Sequence, residues 1–125
     1  MKKIEQNIED FIEYLSVEKN KNPLTIRNYK HYLGRLVALA GVQNPEDITD
    51  ESVKIFKKEL SSLKLNPKTI NYHLITLRQF LRFLARREIA SLSSDKIELF
   101  ENIQTKKFDL ISKEELEVFL TNKVN

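Results

Sequence analysis

Two stretches free of carboxylates concentrate the side chains able to recognise an anionic partner: residues 19–45 and 60–87 contain no Asp or Glu, yet carry 11 of the 21 Lys and Arg residues. All 18 acids lie elsewhere. Solvated helices ordinarily interleave the two signs, because opposite charges one turn apart stabilise one another. Each window also holds a copy of Asn-Pro-x-Thr-Ile, beginning at Asn22 and Asn66, with a tyrosine close behind at Tyr29 and Tyr72.

Projected at about 100° per residue, each window becomes a two-faced helix. In the first, Ile26, Tyr29, Leu33, Leu36, Val37 and Ala40 share one side, and Arg27, Lys30, His31, Gly34, Arg35 and Ala38 the other. In the second, Ile70, Leu74, Leu77, Leu81 and Leu84 form an apolar stripe with Phe80 beside it. The opposite arc gathers Lys68, Asn71, Tyr72, Ile75, Arg78, Gln79, Arg82 and Arg86. Cations neutralise phosphates or pair with guanine, amides pair with adenine, and an apolar side chain touches a thymine methyl. The types therefore suit the major groove of duplex DNA. Gly34 and Ala38 permit close approach of a backbone, and the two helix starts, each with a Thr hydroxyl from Thr25 or Thr69, suit a phosphate.

The same residues offer little for catalysis. The four tyrosines, Tyr14, Tyr29, Tyr32 and Tyr72, all fall within expected helices, and His31 and His73 are too isolated to build a metal site. Two glycines cannot form a phosphate-cradling loop, and the absence of cysteine excludes disulfides and thiolate ligands. No catalytic residue, metal or cofactor is expected. The chain as it stands should bind and not cut.

The elements that must position these faces are helices. Only 2 Gly and 3 Pro occur in 125 residues, 41% of which are hydrophobic, and the apolar residues recur at helical spacing. A first helix is expected from about Ile4 to Lys19 on Ile4, Ile8, Phe11, Ile12 and Leu15, ending at "KNKNP". Asn22 caps the second, with Pro23 at its first position and Gly41 beyond Ala40 as its stop. Thr49 caps a third, where Asp50 and Glu51 suit the positive end of the dipole and Val53, Phe56, Leu60 and Leu63 form the stripe. Asn66 and Pro67 open the fourth and longest, reaching about Glu88. Efficient capping alone accounts for part of the repeat, and a helical protein-interaction module with merely solvated basic faces is the alternative reading. One core fits this length, with residues 1–88 as the helical domain. No apolar run approaches a membrane span and no secretory leader is present, so a soluble chain in the cytoplasm, associated with the nucleoid, is expected.

At this point the sequence resembles a known family. "FIEYLSVEKNKNPLTIRNYKHYLGRLVALAG" followed by "LNPKTINYHLITLRQFLRFLARRE" is similar to the N-terminal core-binding domain of tyrosine recombinases of the phage-integrase and Xer type, an all-α, four-helix SAM-like bundle. Thr69, Ile70, Leu74, Leu77, Arg78, Phe80, Phe83 and Leu84 match its fourth-helix pattern. The resemblance implies that helices two and four cross a major groove while one and three support them. It places DNA contacts on Thr25, Arg27 and His31, and on Lys68, Thr69, Asn71, Tyr72, Ile75 and Arg78. It further implies a linker over residues 89–111 and the start of a truncated catalytic domain over 112–125, where Ser112 and Glu115 form a capping box. Its reaction, a tyrosine attacking a DNA phosphodiester, belongs to the part beyond. The partner implied is double-stranded DNA, with a monomer in isolation and a tetramer on DNA within the full-length recombinase. The family's Asn-Pro and Pro-Lys linker landmarks are missing from "SLSSDKIELFEN".

Overall fold

The computed structural model describes residues 2–100; the expected helix opened by Ser112 and Glu115, with the rest of 101–125, lies outside them. Four α-helices, α1 (Ile4–Val17), α2 (Pro23–Ala40), α3 (Asp50–Ser62) and α4 (Pro67–Arg86), build a bundle, and no strand occurs among the described residues. Single 3-10 turns interrupt the α2–α3 connection at Pro45–Asp47 and the segment after α4 at Ser94–Lys96.

The helices begin where the local chemistry favours them. Asn22 accepts a hydrogen bond from the Leu24 amide at 2.7 Å, and Asn66 accepts one from the Thr69 amide at 2.8 Å, with proline next in both. Each cap satisfies a donor that the helix itself leaves unpaired. Thr49 and Ser52 exchange bonds at the start of α3, the Thr49 amide donating to Ser52 Oγ at 2.8 Å. Gly41 ends α2 at φ 67°. At the end of α4 the same left-handed reversal falls on Glu88, φ 59°, where the Ile89 amide reaches back to the Leu84 carbonyl at 2.9 Å. This is a Schellman closure made without glycine.

α1 packs on α2 and α4, α2 also on α3 and α4, and α3 on α4. Phe11 meets Phe80 and Phe83 with ring centroids 5.4 and 5.3 Å apart, joining α1 to α4. Around them Leu33, Leu36, Phe56, Leu60, Leu74, Leu77, Leu81 and Leu84 are buried to 1% exposure or less. Burial of each stabilises the fold by roughly 1.5–3 kcal/mol. The buried face of α4 is wider than its leucine stripe, for it also takes in His73, Thr76 and Phe83.

Candidate nucleic-acid interface

α2 and α4 lie side by side, held by polar contacts as well as apolar ones. His73, on α4, is buried and packs at a tilt of 41° against Tyr32 of α2, 4.2 Å between centroids. Its Nδ1 lies 2.8 Å from the Thr69 carbonyl and its Nε2 3.1 Å from Arg35 Nη1. A carbonyl only accepts and a guanidinium only donates, so the proton sits on Nδ1 and the ring is neutral. Burial is the main force lowering its pKa to about 4; the Thr69 carbonyl opposes this, while Arg35 and His31 add to it. Further along, the Gln79 amide donates to the Tyr29 hydroxyl at 3.3 Å.

These contacts sort the fourteen candidate residues. Arg27, Lys30, His31, Arg82 and Arg86 are exposed; Arg35, Lys68, Thr69, Asn71, Tyr72, Ile75, Arg78 and Gln79 are half-buried. Lys30 is turned toward α1, where its ammonium meets Glu9 at 3.1 Å. Arg35 and Gln79 are engaged between the helices. Burial, with Tyr32 nearby adding to it, pushes the Tyr72 phenol up to about 12, so it stays a neutral donor. Thr25, expected as part of a phosphate seat, is instead 2% exposed, and its Oγ1 has no hydrogen-bond partner among the described residues. One turn before Tyr29, it shares that residue's inward side, so the α2 start offers backbone N–H groups rather than this hydroxyl.

Asn71 and Arg78 are held by the chain itself. The segment expected as the first part of an extended linker folds back along α4 instead of leaving the bundle. The Asn71 carboxamide donates to the Phe100 carbonyl at 2.9 Å and accepts from the Phe100 amide at 2.6 Å. Arg78 Nη2 donates to the Ile97 carbonyl at 2.9 Å. Ile97 is buried, Ile89, Leu92 and Phe100 pack against the core, and the Lys57 ammonium lies 5.6 Å from the Phe100 ring centroid. This strap covers one edge of the polar arc of α4. Arg82 and Arg86, further along α4, are exposed and line a cleft with the start of the strap at residues 89–94.

Sequence reasoning passed over His73, whose ring joins the two helices, and the strap. The signal for the strap in the sequence is four large apolar residues, Ile89, Leu92, Ile97 and Phe100, within the expected linker. No helix among the described residues is long and apolar enough to cross a membrane.

Comparison with known proteins falls on this same bundle. The family description "phage integrase, N-terminal SAM-like domain" matches residues 8–88, which begin within α1 and run two residues past α4. Among curated proteins, the tyrosine recombinase XerC of Oceanobacillus iheyensis is 33% identical over 89 residues, 69% of this chain and 29% of that protein. The tyrosine recombinase XerC of Anoxybacillus flavithermus is 29% identical over 119 residues, covering 92% of this chain and 40% of its own length. The tyrosine recombinase XerD of Chlamydia pneumoniae is 29% identical over 82 residues, 66% of this chain and 27% of that protein. The chain thus spans well under half the length of these relatives. No solved structure gives a significant match. Four helices in the expected order, an all-helical bundle and a family match running from α1 past α4 agree, and the chain belongs to the phage integrase N-terminal SAM-like domain family.

Proposed function

We propose that this chain is the DNA-binding domain of a site-specific tyrosine recombinase, gripping duplex DNA through α2 and α4 in the major groove. The single observation that carries the reading is the carboxylate-free outer surface of two adjacent helices, on which Arg27, His31, Arg82 and Arg86 are exposed. Lys68 and Ile75 supply a cation and an apolar side chain between them, a mixture suited to phosphates and base edges together. The likeness to proteins named tyrosine recombinases supports DNA as the partner. In this reading the cutting chemistry belongs to sequence beyond the matched bundle, and these 125 residues bind without cleaving. The domain is a monomer alone and part of a tetramer when its full-length parent assembles on DNA.

The test is a titration of a fluorescent mixed-sequence duplex at several salt concentrations. Release of counterions predicts log K falling linearly with log salt, by about 0.9 per phosphate neutralised. Binding that ignores salt, or no binding at modest ionic strength, rejects the reading in favour of a protein-interaction module.

A further inference from the structure

At the edge of the α4 face, the structure brings Arg82 and Arg86 together with two cations some sixty positions earlier in the sequence, Lys19 and Lys21. A cleft of about 270 Å³ opens between the end of α1, the turn that follows it and the second half of α4. Its polar rim is Lys19, Lys21, Arg82, Arg86 and Gln79, and its floor includes Tyr14 and Phe83. No carboxylate lines it. The turn is shaped for this: Asn20 adopts φ 49°, and the Lys21 amide bonds back to the Leu15 carbonyl at 2.9 Å, which brings both lysines alongside α4.

Among the described residues no carboxylate pairs with any of these four cations. The ion pairs among the described residues are Lys2 with Asp10 and Lys30 with Glu9, neither in this cleft. Arg86 Nη1 donates to the Tyr14 hydroxyl at 3.3 Å, and the Lys19 ammonium stands 5.8 Å from the Tyr14 ring centroid, so one phenol orients two of the four. Four like charges around a concave surface raise the local potential and attract an anion with several acceptor oxygens.

We propose that this cleft seats a phosphate-class anion, which in the DNA complex is a backbone phosphodiester flanking the groove occupied by α4. The inference rests on the DNA-binding reading for the identity of the anion, and it assigns to Lys19 and Lys21 a role that the α2 and α4 faces do not include. It widens the footprint by one wall, the α1–α2 turn.

The experiment compares the 125-residue chain with the Lys19→Ala/Lys21→Ala double variant in the same duplex titration, with Lys19→Arg/Lys21→Arg as the charge-conserving control. The expected result is an affinity lowered roughly tenfold and a salt slope shallower by about one phosphate, both restored by the arginine pair. Unchanged affinity and slope in the alanine pair, with wild-type binding intact, overturns the cleft and leaves the DNA reading standing. If the wild type binds no duplex, the DNA reading fails, and the cleft is decided by amide shifts on adding inorganic phosphate. Saturable shifts at Lys19, Lys21, Gln79, Arg82 and Arg86 support it; shifts absent there overturn it.

Discussion

The Asn71 carboxamide and the Phe100 backbone form a closed pair, each donating one hydrogen bond and accepting one, at 2.9 and 2.6 Å. A side-chain amide here imitates one residue of a β-ladder, and it does so 29 positions away from its partner. Asn71→Ala removes both bonds and should cost about 1–2 kcal/mol in urea denaturation, because a part-buried N–H and C=O lose their partner. Amide exchange at Phe100 should accelerate, while that of α1 stays protected. Unaltered exchange at Phe100 would mean that the pair does not hold the strap.

Arg82→Ala or Arg86→Ala should weaken duplex binding several-fold and flatten its salt dependence by about one phosphate each. Lys30→Ala should do less, since its ammonium is directed to Glu9 on α1. Glu13→Ala and Glu59→Ala, outside the acid-free windows, should leave affinity within twofold or raise it. Fluorescence anisotropy on the five variants ranks them, and an equal loss from the glutamate changes would displace the proposed docking face.

His73 links stability to acidity. Its pKa is about 4 in the folded chain against an ordinary 6.5, so between those values the unfolded chain binds the extra proton. Stability contributed by the neutral buried ring is whole above about pH 6.5 and is lost as pH falls toward 4, by about 3 kcal/mol in total. Urea midpoints at pH 7, 5.5 and 4.5 should fall in that order, and His73→Gln, though less stable throughout, should lose most of the slope.

Thr25→Val exchanges a buried hydroxyl, lacking a partner among the described residues, for a methyl of the same shape. The change should stabilise the bundle by about 1 kcal/mol and leave duplex affinity unaltered. A lowered melting temperature or a loss of binding would show that the hydroxyl finds a partner in solution.

Glu88→Gly should raise stability by about 1 kcal/mol. Glycine adopts the left-handed conformation of this position without the cost a side chain brings, and the change removes a negative charge from the negative end of the α4 dipole. A differential scan checks it, with an upward shift of several degrees expected.

Much of this architecture was legible in the chain because its signals are local. Asn22-Pro23, Thr49 and Asn66-Pro67 mark helix starts by their own capping chemistry, and Gly41 marks an end; the observed boundaries fall within two residues of those expected. The apolar stripes identified the core of each helix, since periodicity is a property of neighbours, except at Leu63, expected in the α3 stripe but lying just past the helix end and 48% exposed. The site was less legible because its sorting depends on partners far off in sequence. Arg35 and His73 are 38 positions apart, Gln79 and Tyr29 are 50 apart, and nothing in either neighbourhood announces the other. A helical projection finds the polar arc of α4 but does not distinguish Arg78, tied to the Ile97 carbonyl, from Arg82, one turn on and exposed.

The reversal at Glu88 carries a geometric corollary. Without it and the Asn71 anchor, the twelve residues from Ile89 to Phe100, if freely jointed, would let their far end wander over roughly 20 Å. Instead the polypeptide retraces α4 antiparallel for about fifteen helical positions, again some 20 Å, and departs beside the helix's opening turns. Any body attached after Phe100 is thereby launched from a fixed origin on one flank of the bundle, so its effective concentration near that flank is set by the anchor and not by tether length.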